Sequence, residues 1–322
     1  AVIGAHQALL NAADSPFQCV VAHRALAMTK LYPGNLVLSL SSGIMYHRLV
    51  DRITALNDVP REPLVPRRLG KNMCVPFGKI LRGKVVPNTV TKTLHTDKVY
   101  EPDLNSFTIE PFPYYSPLKS QIETIKSFDR PVILVDDLVH TANRLQVLVP
   151  QLREDGIPIK KVVVGVLSGY GRDLMQCLKV PVESIYSMPN LRQWFVESTL
   201  YPFIGGDTVR REEMKVAGLQ PSINMILPYA TPRLSGCSRE ALVEFSACCI
   251  ENSRDLFQVL EAEYRKMYAK NLTLSRLSEA VILPLCPDKG SCMEYDENLA
   301  ASVYLENDLE TLWRMKEFLI KG

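Results

Sequence analysis

Asp136 and Asp137 stand side by side after an apolar run, Pro131-Val-Ile-Leu-Val135, and ahead of a polar turn, His140-Thr-Ala-Asn-Arg144. A run of this length, rich in Val and Ile and bounded by turn residues, predicts a buried parallel strand. The spacing of Leu145, Val147, Leu148, Val149 and Leu152 predicts a helix directly after the turn. In an open α/β sheet, ligands dock at the carboxyl ends of the strands. Two carboxylates at that edge, beside a helix N-terminus, therefore sit where a polar ligand would be held. The alternative is structural: such a pair can also cap the next helix or stay solvated.

Other elements are required to position this pair. Asn35-Leu-Val-Leu-Ser-Leu40 predicts a strand, followed by Ser41-Ser42-Gly43 and an amphipathic helix over 44–56. A strand, a small-residue turn and a helix form an anion pocket where free amides and the helix dipole converge; a plain tight turn accounts for the same residues. From Arg61 to Lys98 the chain is basic and broken by Pro and Gly, carrying Arg67, Arg68, Lys71, Lys79, Arg82, Lys84, Lys92 and Lys98. This segment reads as a solvated loop or hairpin, or as a cover over an anionic site. A short strand at 107–112 comes next, then a helix opened by Ser116-Pro117. Buried strands at 159–167 and 182–186 complete a doubly wound parallel sheet. Gly169 and Gly171 are no dinucleotide fingerprint, because the third glycine and the downstream acid are missing. Trp194 and Phe195 either stack on a planar ligand or belong to the core.

Residues 1–33 predict helices that pack on this α/β domain, which extends over 1–210. Beyond 208 the strand-like runs stop, and 211–322 reads as a mainly helical region with helices at 238–267 and 295–320. The net charge of +2 gives no case for nucleic acid or an acidic membrane. No apolar run approaches the roughly 18 residues that span a bilayer. The start has neither Met nor the form of a signal peptide, which fits a trimmed chain or a piece of a longer one with an upstream domain. Eight cysteines without C-x-x-C spacing fit buried thiols in a reducing cytoplasm better than disulfides, and Cys286 and Cys292 lack the paired spacing of a metal site.

The stretch Val132-Ile-Leu-Val-Asp-Asp-Leu-Val-His-Thr-Ala-Asn-Arg-Leu145 resembles the phosphoribosyl pyrophosphate (PRPP) motif of type I phosphoribosyltransferases. The resemblance covers roughly 35–207 and is strongest at 132–141. It implies that Asp136 and Asp137 hold the ribose hydroxyls and that His140, Thr141, Ala142, Asn143 and Arg144 cradle the 5′-phosphate. It further implies a pyrophosphate loop at Ser41-Ser42-Gly43, covering cations among Lys79, Arg82, Lys84 and Lys92, and a base-binding end at Trp194 and Phe195. Mg²⁺ would bind the diphosphate and ribose oxygens, reaching Asp136 and Asp137 indirectly. A more particular likeness is to bacterial phosphoribosyltransferase-like segments of the cytidyltransferase-related group, although no H-x-G-H motif occurs.

The turn departs from the family pattern. Family loops carry glycines and a second Thr where this chain has Ala142, Asn143 and Arg144. Glycine admits a phosphate close to the backbone; alanine tolerates left-handed conformations poorly. Arg144 either replaces lost amide contacts or fills the pocket. His47, His95 and His140 also fall in loops, with acid–base or phosphate roles or none. Three readings follow: a phosphoribosyltransferase acting on a base-like acceptor, a catalytically degenerate nucleotide or PRPP sensor, and a scaffold whose helical tail joins subunits as a homodimer or joins an upstream nucleotidyltransferase domain.

Overall fold

The computed structural model describes residues 27–66, 68–112, 115–196, 199–210, 221–232, 234, 236–277, 283–284 and 295–321. The predicted helices before residue 27, together with Arg67, Cys19, Cys286 and Cys292, lie outside these. Two compact units divide the chain, and each is built from discontinuous segments. One contains 40–98 and 108–194; the other contains the described parts of 1–39, 99–107 and 195–322. The division falls between Trp194 and Phe195 and not at 210.

In chain order the elements are α1 (Ser42–Leu56), β1 (Met73–Pro76), β2 (Val90–Thr91), β3 (Thr96–Tyr100), β4 (Phe107–Pro111), α2 (Leu118–Lys126), β5 (Val132–Val139), α3 (Asn143–Glu154), β6 (Ile159–Ser168), α4 (Gly169–Cys177) and β7 (Val182–Met188). They are followed by β8 (Asp207–Val209), β9 (Pro221–Ile223), α5 (Arg239–Tyr268), α6 (Leu274–Leu277), β10 (Leu283–Pro284) and α7 (Ala301–Lys321).

The first unit is an α/β fold around a sheet of order β2-β1-β5-β6-β7, with every pairing parallel. Its apolar strands are buried on both faces because helices cover both. Val132 and Leu134 of β5 pack with Ile122 and Ile125 of α2 and with Leu145, Leu148 and Leu152 of α3. The alternate residues Ile133 and Val135 pack with Leu49, Val50 and Ile53 of α1. Each such side chain contributes about 1.5–3 kcal/mol when fully buried.

The predicted strand over 35–40 does not form. That segment joins no sheet, and Leu36 is 83% exposed. The place beside β5 is taken by Met73-Cys-Val-Pro76, inside the stretch expected to be a loop; its Phe77 amide donates to the Val135 carbonyl at 3.0 Å. A four-residue run flanked by Lys71 and Lys79 gave too weak a periodic signal to outweigh the surrounding charge.

In the second unit α5 packs on α7 through Val243, Phe245, Ile250, Leu305 and Leu312. Strand structure persists past 208: β8 pairs in parallel with Val99 and Tyr100 and antiparallel with β9, which pairs with β10. These strands are two to five residues long, too short for an alternating pattern to register. No helix among the described residues is long and apolar enough to cross a membrane. The described cysteines 74, 177, 237, 248 and 249 are free thiols.

Candidate functional site

Successive side chains on a strand point to opposite faces, yet Asp136 and Asp137 converge. A Cβ added to Gly78 would collide with Asp136 Oδ1 and come within 2.7 Å of Asp137 Oδ1. The alternation breaks at this point: Leu138 packs with the α1-side residues, as Val135 does, and Val139 with the α2 and α3 side. Asp136 is 6% exposed, and its Oδ1 accepts the Asp137 amide at 2.8 Å. Burial, and then the neighbouring Asp137 charge, push the Asp136 carboxyl well above the usual range. Burial opposes ionisation of Asp137 too, but the hydrogen bond from Asp136, with Arg144 and Lys79 nearby, holds it below that range. The two carboxyls are thus pushed apart, Asp136 toward its protonated form and Asp137 toward its charged form.

The turn that follows supplies donors. Ala142 takes a left-handed conformation, φ 51° and ψ 20°, and ends the turn where α3 begins. No side chain caps α3, and its first turn holds no acid. The amides of Thr141 to Arg144 donate to no acceptor among the described residues. The Asn143 side chain donates to Thr141 Oγ1 at 2.9 Å, bracing the turn. Arg144 Nε is buried without a partner. Free amides, the positive end of a helix and a guanidinium converge beside a single carboxylate, which suits a ligand with both hydroxyls and an anionic group.

His140 leads into an aromatic edge. Its Nδ1 lies 2.8 Å from Ser168 Oγ, which also accepts the Gly171 amide at 2.9 Å as the cap of α4. The Ser168 hydroxyl thus joins the His140 ring to the start of α4. Burial lowers the imidazole's pKa. Trp194 approaches the His140 ring at 4.6 Å and Tyr170 at 5.6 Å. Tyr170 was not singled out by its sequence context; its position after the β6 strand end is the only signal it gave. Phe195 is not part of this edge, because it packs on Phe245 in the core of the second unit.

The structure redistributes the other predicted residues. Ser41 caps α1, its Oγ accepting the Ile44 amide at 3.4 Å, and Ser41, Ser42 and Gly43 are exposed without a preceding strand. They reach the same end of the sheet, since Met45 packs on Gly165 beside the Asp137 carbonyl. The loop that follows a strand and meets the aspartates is instead Phe77-Gly78-Lys79, and Gly78 is the residue the sequence reading missed. The apolar run Met73–Phe77 ending in Gly78 was the available signal. Of the four proposed covering cations only Lys79 bears on the aspartates. Arg82 donates to the Thr96 carbonyl at 3.2 Å, Lys84 lies over the Tyr46 ring at 4.2 Å, and Lys92 is anchored through its amide to Cys74 at 3.1 Å. His47 lies in α1 and not in a loop, and it contacts Arg61 at the surface. No group of three or more possible metal ligands occurs among the described residues.

No family model matches the chain, and no curated protein matches it. Among solved structures it is similar to a purine phosphoribosyltransferase from Pyrococcus horikoshii, with 12% identity over 48% of this chain and 91% of that one and a TM-score of 0.27. It is similar also to a hypoxanthine phosphoribosyltransferase from Trypanosoma cruzi complexed with the product IMP, at 16% identity, 49% and 81% coverage and a TM-score of 0.28. An adenine phosphoribosyltransferase from Thermoanaerobacter pseudethanolicus gives 10% identity, 49% and 92% coverage and a TM-score of 0.26. At that distance the likeness says nothing of ligand or activity, which rest on the residues of this chain.

Proposed function

We propose that the α/β unit binds a phosphorylated ribose at the carboxyl end of β5, PRPP or a nucleoside 5′-phosphate. The observation that carries this reading is the junction of one ionised carboxylate with a turn of free amides. Asp137 accepts hydrogen bonds from the ribose hydroxyls, assisted by Asp136, and the amides of Thr141 to Arg144 take the 5′-phosphate. Gly78 and Lys79 face the anionic group leaving from C1. Trp194 and His140 offer a planar acceptor a stacking surface. Mg²⁺ fits such a site only with most of its ligands drawn from diphosphate, ribose and water, since Asp136 and Asp137 supply the oxygens on the protein side. Mg²⁺ held there would supply positive charge opposite the diphosphate. The residues do the remainder by positioning the sugar and by electrostatic stabilisation of the developing charges.

Calorimetry of the full chain with PRPP and Mg²⁺ tests this reading. Binding in wild type, weakened about tenfold or more in Asp137→Asn, is the expected result; identical titrations of wild type and the double variant Asp136→Asn/Asp137→Asn would exclude it.

One observation favours a binding module without turnover: alanine, not glycine, holds the left-handed position of the turn, and Arg144 Nε is buried in that turn. Release of pyrophosphate from PRPP across a panel of bases separates the two. An enzyme produces it with at least one base, whereas a sensor binds PRPP and produces none.

A further inference from the structure

The parallel sheet of the first unit ends differently on its two sides. One edge is β2, two residues long; the other is β7, seven residues from Val182 to Met188. Sheet edges are commonly closed to other chains by short strands, proline, bulges or lysine. None of these closes β7: it holds no proline or lysine, and its register with β6 is unbroken. Its one charged residue, Glu183, is drawn back onto its own sheet by Arg52 and by Lys161 at 3.0 Å. All of its residues are half-buried or exposed.

The ladder fixes which backbone groups are open. The Val162 amide donates to the Pro181 carbonyl at 2.8 Å, and Val162 stands beside Val182. A strand in a ladder turns alternate residues to each side, so Glu183, Ile185 and Ser187 bond to β6. The amides and carbonyls of Val182, Ser184 and Tyr186 therefore point away from the sheet, and none has a partner among the described residues. Unpaired backbone groups in a row are a template for another strand. Arg172 adds an unmatched charge at the same edge. Its guanidinium donates to Ser187 Oγ at 2.7 Å and forms no ion pair among the described residues.

We propose that two copies of this chain join β7 to β7, antiparallel and centred on Ile185, so that their parallel sheets become one. This is the antiparallel register that pairs the whole strand. It sets Val182 opposite Met188 and Ser184 opposite Tyr186, so that outward-facing backbone groups meet one another. Ile185 meets its own counterpart and Glu183 faces Ser187, both in the closely spaced pairs that share no backbone hydrogen bond. Because Ser187 holds Arg172, the unmatched guanidinium of one copy comes to the Glu183 carboxylate of the other. That carboxylate keeps lone pairs beyond those used by Arg52 and Lys161. Parallel pairing in register would instead set Glu183 against Glu183, a like-charge pair. The antiparallel contact is the same on both copies and closes at two. It does not depend on the sugar-phosphate reading, because no residue is shared.

Sedimentation velocity of the full chain over a concentration series reads the association directly. The wild type is expected to sediment as a dimer. Ser184→Pro removes an outward amide, keeps the β6 ladder, and is expected to sediment as a folded monomer. Arg172→Glu, at an exposed position on α4, sets an acid near Glu183 and is expected to weaken the dimer about tenfold. A wild-type monomer at every concentration overturns the proposal, as does a dimer that both variants leave unchanged. Hydrogen exchange then sorts the monomer outcome. Rapid exchange at Val182, Ser184 and Tyr186 leaves the edge to a strand from a different protein, and slow exchange shows that this chain covers it. Either result excludes the pairing of β7 with itself. Thermal melts show that each variant is folded, and Arg172→Glu alone carries the test if Ser184→Pro is not.

Discussion

At the scale of single residues, the account turns on how the Asp136 and Asp137 carboxyls are pushed apart. The Asp136 carboxyl has a folded pKa above its unfolded value, so its ionisation costs stability as pH rises through the folded value. Asp137 lies below its unfolded value, so its contribution is present above about pH 4 and is lost as pH falls through the folded value. Urea denaturation across pH should therefore show Asp136→Asn with a flatter decline above about pH 4 and no loss of stability at neutral pH. Asp137→Asn should lose about 1–3 kcal/mol at neutral pH, because Arg144 and Lys79 are left without their anion. The reverse order would refute the assignment of the proton. Ala142 offers an independent check. Held at φ 51°, it carries strain that glycine would not, and Ala142→Gly should raise the unfolding midpoint by about 0.5–1 kcal/mol of stability.

At the scale of elements, β1 and its loop matter as much as β5. Gly78→Ala should destabilise the fold by about 1–3 kcal/mol in chemical denaturation and weaken PRPP binding, because the new methyl group meets both carboxylates. A fully stable Gly78→Ala would show that the loop does not pack as described. Much of this scaffold could be read from residues alone. The runs at 132–139 and 159–168 and the stripe through Leu145, Leu148 and Leu152 were legible because burial on both faces demands continuous apolar sequence. Leu36, Leu38 and Leu40 misled because alternation alone does not reveal whether a partner strand exists. The placement of Gly78 was illegible for a related reason: a glycine's purpose is set by what approaches it, which only tertiary packing reveals.

At the scale of the whole chain, the division at Trp194 and Phe195 has consequences for any fragment. Leu200, Tyr201, Phe203 and Val209 are buried in the second unit's core with residues of α5 and α7. A fragment ending at 210 should leave them exposed and bind a hydrophobic dye more strongly than the full chain; equal dye binding would count against the two-unit division. The functional claim is tested most directly by a crystal structure of the full chain with ribose 5-phosphate. The account predicts phosphate density within hydrogen-bond distance of the Thr141 to Arg144 amides and sugar hydroxyls on Asp137. Phosphate found only elsewhere, or an unoccupied turn at saturating ligand, would contradict it.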